Sequence, residues 1–200
     1  MSITESSQRI YPEQVLEPLD LHAAFGNQHP IEIDLGSGKG RFLLARAQAH
    51  PDTNFLGIDR MLRRIRKVDR KAVRHGLSNI RLLRMEAYYA VSYLIPAEAV
   101  SAYYILFPDP WPKKKHHDHR LFNPRFIDAL HRTMNPGAPV HIATDHLPYF
   151  EEIMTVMREQ SDRFEEAAEV WEPVEAERTD FELLFIEHKP IGRATFIRKG

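Results

Sequence analysis

Glycines at alternate positions directly behind an apolar run restrict this chain more than any other feature. Residues 31–35, Ile-Glu-Ile-Asp-Leu, alternate like a strand, and Gly36-Ser37-Gly38-Lys39-Gly40 follows. A breaker-free stretch with Phe42, Leu43, Leu44, Ala45 and Ala47 comes next, so the order reads strand, tight turn, helix. Glycine is the residue that accepts sharply turned backbone without penalty and lets a ligand approach the main chain. The spacing excludes two common phosphate loops. A P-loop needs glycine at 33 and Ser or Thr after Lys39, where the chain has Ile33 and Gly40. The dinucleotide fingerprint needs glycine at 41, where the chain has Arg41, and this rules out a dehydrogenase.

The pattern repeats along the chain. Strands are expected at 54–59, 79–84, 100–107 and 139–144, with further strands at 164–171 and 194–198. Helices are expected at 41–50, at 61–75 closed by Gly76, at 87–95 stopped by Pro96, at 124–134 capped by Asn123, and at 148–160. Alternating strands and helices predict an α/β, Rossmann-like, doubly wound fold with a mostly parallel sheet. Ligands of such sheets bind beyond the carboxyl ends of the strands, which makes the residues following each strand the candidate site. Residues 1–15 read as an N-terminal extension outside a single domain spanning 16–200.

Composition narrows the partners. The chain has no cysteine, which excludes disulfides, thiolate metal sites and cysteine nucleophiles and fits a cytoplasmic setting. The first twelve residues have no apolar signal region, and no apolar stretch is long enough to span a membrane. The net charge of −1 is a cancellation: residues 60–84 carry a balance of +9 and residues 151–188 a balance of −10. A second basic run, Lys113-Lys114-Lys115-His116-His117-Asp118-His119-Arg120, lies between them. The asymmetry points to an anionic partner met by one side of the molecule, although solvated helix faces account equally well for the 60–84 segment. The histidines lack supporting carboxylate spacing, so no metal site is expected.

Acids punctuate the strand ends. Asp34 precedes the glycine loop; Asp59, ending its strand, suits the hydroxyls of a ribose or a cap for the next helix; Glu86 suits the first turn of a helix. The loop resembles the acidic-x-G-x-G-x-G pattern of class I adenosylmethionine-dependent methyltransferases, and that resemblance implies a second role for Glu86, against an adenine amino group. Beyond the strand at 100–107, Phe107-Pro108-Asp109-Pro110-Trp111-Pro112-Lys113-Lys114-Lys115-His116 and the later Arg120-Leu121 resemble the hallmark segment of the bacterial tRNA (guanine-N7-)-methyltransferase family. So do Ile142-Ala143-Thr144-Asp145 and Arg178-Thr179-Asp180-Phe181-Glu182.

That resemblance implies a seven-stranded class I methyltransferase fold with an antiparallel C-terminal strand, S-adenosyl-L-methionine as cofactor, and tRNA as substrate, methylated at N7 of a variable-loop guanosine. No obligatory protein partner is implied, and the chain would act as a monomer or homodimer. It implies cofactor contacts from Asp34, Gly36, Gly38, Gly40, Asp59, Glu86 and Asp109, with Asp109 also catalytic. Lys113, Asp145, Thr179, Asp180, Phe181 and Glu182 would contact the substrate guanosine, and Lys115, His116, His117, Asp118, His119 and Arg120 would face the RNA. The family more often has Glu at the first two acidic positions and Asp at the third; here Asp34, Asp59 and Glu86 keep the charge and change the reach. Trp111 or Tyr149 could stack on the target base or serve packing alone. A methyltransferase for a small molecule or protein leaves the basic run idle, and a non-catalytic RNA-binding subunit gives no reason for the strand-end acids.

Overall fold

The computed structural model describes residues 7–12, 14, 16–185 and 189–200, with the backbone alone at Lys114 and Phe185. Alternation along each strand sorts side chains to the two faces of one sheet. In β2 (Ile31–Leu35), Ile31, Ile33 and Leu35 enter the larger core. In β3 (Asn54–Ile58), Leu56 and Ile58 join them while Phe55 faces the opposite side. β4 (Ile80–Leu83), β5 (Ala102–Leu106) and β6 (Pro139–Thr144) follow the same rule: Tyr103 lies in the larger core and Tyr104 on the other face. Both faces are apolar because helices cover both. One layer is α2 (Arg41–Ala49) and α3 (Leu62–Arg74). The other comprises α1 (Leu21–Phe25), α4 (Ala87–Tyr89), α5 (Pro124–Thr133) and α6 (Leu147–Arg158).

The strand order is β1-β4-β3-β2-β5-β6-β8-β7. The pairs from β1 to β6 are parallel, whereas β8 (Gly192–Arg198) lies antiparallel to β6 and β7 (Phe164–Glu166) antiparallel to β8. The doubly wound architecture and its antiparallel C-terminal strand are as expected; the strand count is not. An eighth strand, β1 (Arg9–Ile10), pairs with β4 from within the segment read as an extension, of which residues 1–6, 13 and 15 lie outside the described residues. Two residues carry no readable period. β1 is held instead by Asp69 on α3, which accepts from the Gln8 amide at 2.7 Å and the Ser7 hydroxyl at 3.0 Å and pairs with Arg9 at 3.0 Å.

Other departures have local causes. The helix expected at 87–95 runs as α only to Tyr89 and continues as a π-helical segment, Ala90–Leu94, whose loosened carbonyls at Val91 and Ser92 accept from Arg132 at 2.9 and 3.1 Å. The strand expected at 164–171 stops at Glu166, and Trp171 turns inward to pack on Phe42, Tyr104 and His141. The expected cap at Asn123 is present, its side chain accepting from the Phe126 amide at 3.1 Å. A short helix, α7 (Asp180–Phe185), was not anticipated. No described helix is long and apolar enough to cross a membrane.

Gly40 is doubly constrained, because it combines φ +77° with a position where a Cβ would stand 2.6 Å from Val68 of α3. Gly40→Ala is expected to cost about 2–4 kcal/mol from left-handed backbone strain and overpacking together. Urea denaturation checks this: Val68→Ala in the same chain should recover the steric share, and strict additivity of the two changes would disprove the contact's role.

Candidate cofactor and substrate site

Three glycines, Gly36 (φ +93°), Gly38 (φ +54°) and Gly40 (φ +77°), turn the chain from β2 into α2. The turn is pinned across the sheet: the Gly36 and Ser37 amides both donate to the Ile58 carbonyl at 2.8 and 3.0 Å, and the Gly38 amide donates to Asp59 Oδ2 at 3.1 Å. Nothing lies within 4 Å of where a Cβ on Gly36 would stand, so a ligand can come against the backbone there.

At the end of β2, just before this loop, Asp34 is buried and its Oδ2 has no hydrogen-bond partner among the described residues; the buried Ser37 hydroxyl of the loop has none either. An unpartnered buried carboxylate is costly in its charged form. Burial, and secondarily the charge of Asp59, push the Asp34 pKa up to about 8. Unsatisfied polar atoms in a native interior call for a ligand or water, and a carboxylate and a hydroxyl beneath open glycine backbone fit the ammonium end of an amino-acid-bearing cofactor.

The other strand-end acids are already employed. Asp59 accepts from the Met61 amide at 2.7 Å and pairs with Arg64 at 3.3 Å, so it organises the start of α3 as well as the glycine loop. Glu86 caps α4, its two oxygens accepting from the amides of Tyr88 and Tyr89 at 3.0 and 2.9 Å. Asp109 is 72% exposed and stands 3.8 Å from Arg60. Because β2 lies between β3 and β5, that pair reaches over the strand bearing the glycine loop.

The segment after β5 is strained and firmly held. Phe107 and Trp111 adopt φ +56° and +43°, left-handed values that cost a bulky residue of order 1–3 kcal/mol. The Phe107 amide donates to the Ala143 carbonyl at 2.7 Å, and its ring meets Phe181 of α7 at 5.0 Å. Arg120 completes the clamp and corrects an expectation. It is buried rather than facing RNA, donating to the Pro110 carbonyl at 2.8 Å, pairing with Glu152 and lying 4.8 Å over the Tyr149 ring. Tyr149 is likewise a packing residue, since it is buried with its hydroxyl accepting from the Phe122 amide at 3.4 Å, and it is not available to stack on a base. Trp111 is partly exposed and stacked on His116 at 5.8 Å, with His119 at 5.0 Å. Those histidines are therefore engaged with the indole, while Lys113, Lys115 and Asp118 are exposed and His117 half-buried.

The remaining predicted residues divide. Asp145, just past β6, pairs with Lys189 at 3.0 Å, and Lys189 lines a cavity of about 310 Å³ together with Glu182, Arg178 and Arg193. Glu182 is 1% exposed and paired with Arg193 and, at 3.9 Å, with Arg178, so it is a buried anchor and not an open acceptor. Thr179 accepts from the Glu182 amide at 2.9 Å and starts α7. Asp180 faces a different cavity, beside Arg41, Lys71 and Arg74. Ser37, Arg60, Lys189 and Arg193 were missed. Arg193 lies just before the strand expected at 194–198, and only the antiparallel register places it opposite Ala143 at the end of β6. No group of three or more metal-ligating side chains occurs among the described residues.

Known proteins resemble this chain over most of its length. Residues 28–189 match the family model described as "Putative methyltransferase". A tRNA (guanine-N(7)-)-methyltransferase of Nitrosococcus oceani is 36% identical over 82% of this chain and 70% of its own length. One from Nocardia farcinica is 39% identical over 70% of this chain and 52% of its own, so the chain spans about half of that relative. Among solved structures, the 16S rRNA methyltransferase KamB superposes with a TM-score of 0.68 at 18% identity, covering 92% of this chain and 95% of that one.

The raised Asp34 pKa has a stability consequence. The folded state keeps a proton that the unfolded chain releases above about pH 4, so stability falls as pH rises from about 4 to 8, by up to about 1.4 kcal/mol per pH unit. Asp34→Asn should flatten this slope and raise the melting temperature at pH 7.5, as calorimetry across pH 5–9 will register; a variant less stable than wild type at pH 7.5 would contradict it.

Proposed function

The chain belongs to the tRNA (guanine-N7-)-methyltransferase family, and from that premise we propose that it methylates N7 of a guanosine in the variable loop of tRNA, with S-adenosyl-L-methionine as methyl donor. The observation that carries the reading is the buried, unpartnered Asp34 carboxylate under open glycine backbone. It stands in a row with Asp59, Asp109 and Asp145 along the carboxyl edge of adjacent strands.

S-adenosyl-L-methionine supplies an electrophilic methyl group on a positively charged sulfur. Asp34 and Ser37 receive the cation and hydrogen-bond donors of its amino-acid end, and the glycine loop lets the main chain follow it closely. Asp59, fixed by Met61, Gly38 and Arg64, presents its edge to the ribose. Guanine N7 already holds an in-plane lone pair and loses no proton when a carbon–nitrogen bond forms there, so no general base is required. What the protein contributes is alignment and electrostatics. Guanine's N1 and N2 carry hydrogen-bond donors, for which ionised carboxylates are matched acceptors. Asp109 and Asp145 serve that edge and offset the positive charge the purine gains. Each is paired with a single flexible cation, Arg60 or Lys189, that substrate can displace. Glu182 acts one layer behind, holding Arg193 and α7 in place. The rigid 107–111 turn sets Asp109, with exposed Lys113 and Lys115 beside it for phosphate.

Labelled methyl transfer to bulk tRNA, followed by aniline cleavage at N7-methylguanosine, tests the reading: one cut in the variable loop is expected. Cofactor binding without transfer would favour a binding subunit. Cofactor affinity should strengthen up to about tenfold per pH unit from pH 6 to 8 and level off above, because Asp34 must ionise to meet the cation. In Asp34→Asn that dependence should vanish. Asp109→Ala should lower kcat by about 10²-fold or more, and near-wild-type turnover would remove Asp109 from the chemistry.

A further inference from the structure

The solvent face of α3 is built for something other than the fold. Its buried stripe is Ile65, Val68 and Ala72, and opposite that stripe stand Arg63, Arg66, Lys67, Arg70 and Arg74, all exposed. Successive positions at i, i+4, i+7 and i+11 align Arg63, Lys67, Arg70 and Arg74 along one line, about 16 Å long at the rise of an α-helix. None of the five makes an ion pair among the described residues, although the chain holds 28 acids. The sole acid of the helix, Asp69, is buried and occupied by the β1 segment. Like charges at i, i+4 (63 with 67, 66 with 70, 70 with 74) repel and destabilise an isolated helix, so this arrangement costs the fold and returns nothing to it.

Position adds a second constraint. α3 starts where β3 ends, so Arg64 pairs with Asp59 at 3.3 Å and Arg60, just before the helix, lies 3.8 Å from Asp109. The basic line therefore leads directly away from the mouth of the site. At the side of the helix, Arg9 of β1 joins Arg63, Arg66 and Arg70 around an open cavity of about 710 Å³.

We propose that the outer face of α3, extended by Arg9, is a phosphate rail that carries the RNA backbone while the target base occupies the site at the helix's start. The inference rests on the function proposed above. A regularly charged polyanion fits the evenly spaced, unpaired cations of α3, with Arg9, held by Asp69, at their edge, and the rail's continuity with Asp59 and Asp109 assigns it to the macromolecule whose base is being modified. Lys71 is not part of the rail, because it donates to the Lys39 carbonyl and so supports the glycine loop.

The test uses the full chain with Arg66, Lys67 and Arg70 all changed to Gln, and a charge-keeping control with Arg66→Lys and Arg70→Lys. tRNA binding is measured by filter retention across a salt series, without any requirement for turnover. Loss of three phosphate contacts should reduce the slope of log affinity against log salt by about 2–3 and weaken binding more than tenfold at 0.1 M salt. The Lys control should keep the wild-type slope, and melting temperature and cofactor affinity should be unchanged or higher in both. Unchanged slope and affinity in the triple variant would overturn the rail. So would loss of polyglutamate binding with tRNA binding intact, which would give the face to an acidic protein. A rail that passes while the tRNA gains no N7-methylguanosine would fault the enzymatic reading alone.

Discussion

The amides of Gly36, Ser37 and Gly38 are all committed to the end of β3, two to the Ile58 carbonyl and one to the Asp59 carboxylate, and the geometry of the site hangs on that commitment. It holds the turn open above Asp34 and orients Asp59. Through Asp59 it also fixes where α3 begins, since the same carboxylate accepts from Met61 and pairs with Arg64. Gly40 closes the arrangement by letting α2 pack against Val68 of α3. One loop thus sets the cofactor pocket, the first turn of the basic helix and the spacing of the two helices. An Asp34 left without a partner is the energetic cost of that pocket, and it sits where functional sites characteristically sacrifice stability.

A second network fastens the opposite wall. Arg46 of α2 bridges Glu32 and Glu177 at 3.2 and 3.3 Å and donates to the Tyr104 hydroxyl, while Arg41 donates to the Arg178 carbonyl at 3.0 Å. These contacts lash the strand-poor stretch from Trp171 to Arg178 onto the helix that leaves the glycine loop. Phe181 then reaches Phe107, and Glu182 pairs with Arg193. The two halves of the site share one scaffold although more than 130 residues separate them, as with Arg41 and Arg178.

Much of this was legible from residues alone wherever the cause was local. The strand–glycine–helix unit, the Asn123 cap and the amphipathic α3 follow from backbone permissiveness, side-chain capping and 3.6-residue periodicity, which neighbours in sequence suffice to specify. Arg120 departs from its expected exposure for the opposite reason. A cationic residue ending a basic run reads as surface, and only the return of α6 supplies Glu152 and the Tyr149 ring that bury it. β1 was invisible because a two-residue strand has no period and depends on an aspartate some sixty residues away.

The sequence by itself determined the class of fold, the acids at successive strand ends and the strongly basic helix, since each is written in local pattern. Tertiary structure decided which of those groups remain unspent. Among the described residues, Asp34 Oδ2 accepts no hydrogen bond and the cations on the outer face of α3 form no ion pair, whereas Glu86, Glu182 and Arg120 are absorbed into caps and buried pairs. Partnership between charges depends on register and on long-range packing, neither of which a linear pattern encodes. The functional surface is therefore known only when the folded chain has finished satisfying itself.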